Sequence, residues 1–267
     1  MGTLLMAPRV LAVVQARLGS TRLPGKALSP IAGRAMVAHV VERIAAARGV
    51  DEVVLATTVN PEDDSLVEFA RAAGIRCVRG SAEDVLDRFH ATLAAYPAEA
   101  VVRVTADCPL LDPEVSGLVI TEYLRRSDEV DYVSNVMPPT YPDGLDTEVF
   151  SRAALERAWR EARLASEREH VTTYLRKPES GFRLGNVTHG EDLSTLRWTV
   201  DTGPDLDFVR AVYGALVADG ERIFGMGEVL ALLRERPGLA TLNAGQRRNE
   251  GLERSERLDL AARGGKR

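Results

Sequence analysis

Apolar and polar positions alternate in blocks along the first half of the chain. Val10 to Val14 is a continuous apolar run. It is followed by a polar, glycine-containing stretch, and then by Met36, Val37, Val40, Val41 and Ile44 at helical spacing, with Gly49 as a stop. The same unit recurs. Val53 to Thr58 reads as a strand and Leu66, Val67, Phe69 and Ala70 as a helix. Ile75 to Val78 reads as a short strand, and Val85, Leu86, Phe89 and Leu93 as a helix. Val101 to Thr105 is a fourth strand and Val115 to Leu124 a further helix. Strands apolar on both faces and separated by helices predict right-handed crossovers and an α/β fold with a mostly parallel, doubly covered sheet.

The character changes after Tyr132 to Asn135. The stretch from Met137 to Gly144 is rich in Pro and Gly and reads as a loop over the site. Leu145 to Phe150 returns to strand character and leads to a helix around Leu155, Ala158, Trp159 and Ala162. Leu196 to Val200 is expected as a last strand, with helices over Leu206 to Val217 and Met226 to Leu233. Met1 to Arg9 is a loose lead-in. From Asn243 the chain holds seven Lys or Arg against four acids with no apolar periodicity, so residues 243–267 are expected to be a disordered or loosely helical tail. The chain shows no internal repeat.

Length and composition fit this picture: 267 residues, 45% hydrophobic and 27% charged, are enough for a substantial core. A net charge of −5 leaves no footprint for nucleic acid or an anionic membrane, so an anion must be caught locally. No apolar run is long enough to span a bilayer and the start has no leader pattern, which places the expected protein in the cytoplasm with no membrane partner. Two distant cysteines, Cys77 and Cys108, suit a reducing compartment and exclude a zinc-finger-type site.

The candidate chemistry lies where strands end. After the first strand comes Gln15-Ala16-Arg17-Leu18-Gly19-Ser20-Thr21-Arg22-Leu23-Pro24-Gly25-Lys26. Three cations stand there among small and hydroxyl residues, a composition suited to polyphosphate. It is neither a Walker loop nor a dinucleotide fingerprint. Asp107 follows the fourth strand directly and Asp201 follows Val200, so two acids reach the same sheet edge, as a hard divalent cation beside phosphate requires. Ser81 and Asp84 form a Ser-x-x-Asp capping box, Asp112-Pro113 a simple helix start, and Thr202 to Asp205 another box.

The string Gln15 to Lys26 resembles the N-terminal signature of the cytidylyltransferases that make CMP-activated sugar acids. The likeness is greatest to the branch of spore coat polysaccharide biosynthesis protein F, and more distant to the CMP-Kdo and CMP-acylneuraminate synthetases. It extends from Val10 to Gly220 through Gly-Ser-x-x-Asp-Val-Leu-x-Arg, Ser134-Asn135, Gly144-Leu-Asp-Thr-Glu-Val-Phe150 and Glu169-His170-Val171. The resemblance implies a Rossmann-like single domain over residues 1–242, with an acceptor and dimerisation insertion around 135–181. The activity implied is transfer of CMP from CTP to a small acidic acceptor. Arg17 and Lys26 are implied on the phosphates, with Ala16, Ser20, Thr21 and Arg22 around them, and Ser81 and Arg88 bordering the nucleotide. Asn135, Asp146, Glu148 and His170 would line the acceptor pocket, and Mg²⁺ would sit on Asp107 and Asp201. A lone histidine such as His170 is by default structural. The branch reads Val-Asp-Thr-Pro-Glu-Asp-Leu where this chain has Val-Asp-Thr-Gly-Pro-Asp-Leu, which shifts the helix start and leaves Asp201 in place. A CTP-dependent enzyme with a non-sugar phosphonate or carboxylic acid acceptor, a glycosyltransferase of the same fold and a non-catalytic nucleotide binder are the competing readings. Three cations in one loop favour a free triphosphate over a nucleotide sugar.

Overall fold

A seven-stranded sheet is at the centre of the molecule. The structure is a computed structural model that describes residues 9–217, 222–245, 248 and 250–264; the lead-in expected over Met1 to Arg9 lies, apart from Arg9, outside the described residues. In chain order the elements are β1 Val10–Gln15, the small hairpin β2 Pro30–Ile31 and β3 Arg34–Ala35, α1 Met36–Ala45, β4 Glu52–Thr58, α2 Asp64–Ala72, β5 Arg76–Gly80, α3 Val85–Ala95, β6 Ala100–Thr105 and α4 Pro113–Arg125. There follow β7 Tyr132–Ser134, β8 Glu148–Ser151, α5 Arg152–Glu161, α6 Ala165–Glu169, β9 Leu184–Asn186, α7 Gly203–Leu216, α8 Met226–Glu235 and α9 Glu250–Gly264. Strand order is β5-β4-β1-β6-β8-β7-β9. Within this sheet β8 pairs antiparallel with β6 and β7 and the other pairings are parallel.

The continuous apolar run of β1 has a direct cause. Val10, Ala12 and Val14 point to the face covered by α1, α2 and α4, whereas Leu11 and Val13 point to the face covered by α3 and α5. Both sets are buried, so no position from Val10 to Val14 meets water. A third apolar cluster joins Trp198 and Val200 to Leu206, Phe208, Val209 and Val212 of α7 and to Val229 and Leu232 of α8. It supports the carboxyl edge of the sheet from below the site.

One expectation needs correction and another is narrowed. Leu196 to Val200 is extended but is not a sheet strand; apart from a bridge of Arg197 to Asp143, its backbone bonds loops: Asp143 N to Leu196 O (2.8 Å), Trp198 N to Asp143 O (2.6 Å) and Val200 N to Asp107 O (2.8 Å). Its apolar side chains are buried against helices, and burial alone sets the pattern. Of the two forms expected for the tail, disordered or loosely helical, the structure shows helix over Glu250–Gly264, held by polar contacts to α6 that leave no apolar stripe to read.

Candidate active site

The loop after β1 is fixed in shape. Ala16 N donates to Ala56 O (3.0 Å), Leu18 N to Asp63 Oδ1 (2.7 Å) and Gly25 N to Leu18 O (3.0 Å). Asp63 is fully buried and also receives the Thr58 hydroxyl. Gly25 has φ +72°, a left-handed conformation that a side chain would strain. Ala16, Arg17, Ser20, Thr21, Arg22 and Lys26 thereby line one wall of a cavity of about 700 Å³.

Register brings the acids to the same place. β1 and β6 are parallel neighbours with Gln15 opposite Thr105, so Asp107, two residues on, stands beside the loop. Val200 N bonds Asp107 O, which sets Asp201 next to it. The Lys26 ammonium lies between the two acids, donating to Asp107 Oδ2 (2.8 Å), Asp201 Oδ1 (2.9 Å) and Val200 O (2.8 Å). Burial pushes the Asp107 carboxyl up, but Lys26 and the Thr105 hydroxyl outweigh it and bring it down to about 2. Burial likewise disfavours the Lys26 charge, and the two aspartates reverse the effect and raise it. Lys26 is thus on the acids rather than directed at the loop. Arg22 also reaches Asp201 (2.9 Å), and the mostly buried Arg197 donates to Asp143 (3.0 Å), Asp201 (2.9 Å) and Asp205 (3.0 Å).

The opposite wall carries Asp143, Asp146, Glu148, Glu169, His170 and Arg176. Gly144, at φ +111°, lets the loop pass so close to residues 198–199 that a Cβ would lie 2.7 Å from Thr199 N. Burial, with the charge of Asp146, raises the Asp143 carboxyl to about 7, against the opposing pull of Arg248 and Arg197. Burial raises Asp146 too, although Arg248 pairs with it. Glu148 is occupied: Tyr132 Oη (2.6 Å), Thr172 Oγ1 (2.6 Å) and Arg103 all donate to it. His170 Nε2 lies 3.1 Å from Ser255 Oγ, and burial lowers its pKa.

Two expected substrate contacts are elsewhere. Ser81 does not line the cavity; its hydroxyl accepts from Asp84 N (3.0 Å), and Asp84 rather than Ser81 caps α3 by accepting from Asp87 N (2.8 Å). Asn135 is fully buried and pins the loop of residues 145–147, donating to Leu145 O (2.8 Å) and accepting from Thr147 N (2.9 Å). Arg88 does line the cavity. It is 2% exposed, its Nε has no partner, and burial together with Arg17 lowers its pKa to about 10. A desolvated guanidinium with an unpartnered Nε beside a basic loop, where the pull of Asp63 and Asp84 does not offset burial and Arg17, is suited to an anion.

Asp63, Asp143 and Arg197 were not singled out from sequence. The first two sit in turn-like Pro-containing stretches, and Arg197 is the one charge inside an apolar run, a signal that was available.

The donor set fits a hard divalent ion. Asp107 and Asp201 present carboxylate oxygens that already converge on one cation, and no third His, Cys, Asp or Glu among the described residues completes a protein cage. Mg²⁺ is commonly held by one or two carboxylates with phosphate and water oxygens in its other positions.

Comparison with known proteins decides the family. The sequence profile of a family described as cytidylyltransferase matches residues 11–202. The chain belongs to the cytidylyltransferase family. This cytidylyltransferase is 32% identical over 240 residues to the spore coat polysaccharide biosynthesis protein SpsF of Bacillus subtilis, covering 87% of this chain and 97% of that protein. It is 34% identical over 245 residues to a 3-deoxy-manno-octulosonate cytidylyltransferase of Anaeromyxobacter dehalogenans, covering 77% and 98%. Its fold superposes on a cytidylyltransferase of Leptospira borgpetersenii with a TM-score of 0.83 at 28% identity, over 90% of this chain and 99% of that one. The loop, the paired aspartates and Arg197 all fall inside the matched span.

Proposed function

We propose that this cytidylyltransferase transfers CMP from CTP to a small sugar acid and releases pyrophosphate. The observation that carries the reading is the convergence of Lys26, Asp107 and Asp201 on one point beside a fixed basic loop. In this reading Arg17, Arg22 and Arg88 take the triphosphate. The acceptor hydroxyl oxygen attacks the α-phosphorus and releases its proton to solvent, the bond from the α-phosphorus to the bridging oxygen of the β-phosphate breaks, and pyrophosphate leaves with the electron pair. Lys26 moves from the aspartates toward the leaving group, and the cations gathered in the cavity stabilise charge on the phosphoryl oxygens. A divalent cation, Mg²⁺ in this reading, held by Asp107 and Asp201 would neutralise phosphate charge and polarise the phosphoryl group.

An acidic acceptor is supported by Arg176, which lines the acceptor side with no ion pair among the described residues, and by the name of the 3-deoxy-manno-octulosonate relative. Homodimerisation through the region around 135–181 belongs to the same reading. Its support is exposed Met137 within that region and, just beyond it, β9, which no further strand pairs among the described residues and whose Leu184 is exposed. Cytoplasmic work agrees with two free cysteines and with the lack of any described helix long and apolar enough to cross a membrane. The test is melting temperature with CTP, UTP, ATP and GTP, each with and without Mg²⁺. A shift selective for CTP is expected; a shift only with nucleotide sugars would move the assignment to glycosyl transfer.

A further inference from the structure

The C-terminal helix lies across the mouth of the cavity. Gly251, Leu252, Arg254, Ser255 and Leu258 of α9 line it, although the helix lies beyond the span of the family profile. Its two ends are held differently. At the far end Asp259 accepts from the first amides of α6, Ala165 N and Ser166 N, both at 3.2 Å. The buried Ser255 donates to Glu169 Oε2 (2.7 Å) and lies 3.1 Å from His170 Nε2. At the near end, by contrast, Glu250 meets Arg22 of the phosphate loop at 3.1 Å, with both side chains about 40% exposed. Just before the helix, Arg248 covers the acid pair, bonding Asp146 and lying 3.9 Å from Asp143.

Glu250 is thus an anion in front of the loop cation that a triphosphate requires. We propose that α9 is a nucleotide-responsive lid: Glu250 holds Arg22 until the triphosphate displaces it, while Asp259 and Ser255 keep the helix hinged on α6. The proposal rests on the reading that the loop after β1 receives CTP. The direction follows from charge and exposure. The Arg22–Glu250 pair is half-exposed and therefore weak; Arg22 keeps its second partner, Asp201 at 2.9 Å, on the floor of the site, and a polyphosphate offers the outward side of the same guanidinium several oxygens and more charge. Displacement at the near end also draws Arg248 away from Asp143 and Asp146, opening the acceptor side when the nucleotide is in place. An enzyme built this way binds CTP first and admits the acceptor second.

Two measurements on the full chain test the lid. Glu250→Gln removes the competing charge and is expected to tighten CTP binding about two- to fivefold, the worth of one exposed ion pair, read by titration calorimetry. Hydrogen exchange of the amides of residues 250–254 is expected to accelerate when CTP is added, while those of residues 256–260 stay protected. Unchanged CTP affinity in Glu250→Gln together with unchanged or slowed exchange at 250–254 would overturn the lid and leave the CTP site standing. Lack of any CTP binding to the unmodified chain would overturn both readings.

Discussion

Replacing Lys26 by Met tests how the site is put together. In the folded chain one ammonium, 12% exposed, neutralises Asp107 and Asp201, whose side chains are 26% and 22% exposed. The fall of the Asp107 carboxyl from 3.8 to about 2 corresponds to about 2 kcal/mol in favour of its charged form, at about 1.4 kcal/mol per unit. The variant forfeits this and leaves two partly buried carboxylates beside the Val200 carbonyl. Breaking a buried pair costs about 3 to 5 kcal/mol, and partial exposure places this one near 3. A loss of about 3 kcal/mol lowers the melting temperature by roughly 6 to 12 °C for a chain of this size. The pH dependence follows from the sign of the shift. A depressed carboxyl stabilises the fold above its unfolded pKa and loses that contribution as pH falls through about 2. The gap between the two proteins is therefore full at neutral pH and closes below pH 3.8. Mg²⁺ supplies the variant with the missing charge, so it raises the melting temperature of Lys26→Met more than that of the parent, in which Lys26 competes for the same oxygens. Scanning fluorimetry from about pH 2 to 8, with and without millimolar Mg²⁺, reads all of this. A variant that melts within 2 °C of the parent, or that gains no more from Mg²⁺, would refute this arrangement of the three groups.

Arg88→Met removes a buried cation whose Nε is unpartnered, so the variant is expected to melt no lower than the parent. Its CTP affinity should nevertheless fall about tenfold or more, because a hydrogen bond to a charged group contributes about 1.5 to 3 kcal/mol; calorimetric titration checks both halves. Asp143 titrates at about 7 in the folded chain and near 3.9 unfolded, so folding takes up a proton between these values and stability declines as pH rises from about 4 to 7. Asp143→Asn should flatten that decline in a pH series of melting curves. An unchanged slope would place the titration on another group.

Legibility of the sequence followed the physical origin of each feature. The strands around the site were readable because burial on both faces leaves an unbroken apolar run, as in Val10 to Val14, and the loop and Asp107 were readable because such runs end at a sheet edge. Leu196 to Val200 shows the limit: Trp198 and Val200 are as buried as any strand residue, yet their partners are helices, and hydrophobicity does not record which backbone lies alongside. Ser81 was misplaced because Ser and Asp three residues apart satisfy a capping box in either of two frames, and the helix starts one residue after Asp84. Glu148 and Asn135 were both expected to line the acceptor pocket; Glu148 lines the cavity with its carboxylate held by Tyr132, Thr172 and Arg103, and Asn135 is buried on the backbone of 145–147, and these partners are set by tertiary structure. Helix α9 lacks an apolar stripe because carboxylates, hydroxyls and a histidine hold it. No single-sequence period carries that information.

The most direct test of the central claim is pyrophosphate release from CTP in the presence of Mg²⁺ and a 3-deoxy sugar acid, with Asp107→Asn and Asp201→Asn as controls. Release that depends on the acid, on CTP rather than UTP, ATP or GTP, and on both aspartates, in variants that still melt cooperatively, is the predicted result. Full release by both aspartate variants, or equal release with every nucleotide, would contradict it.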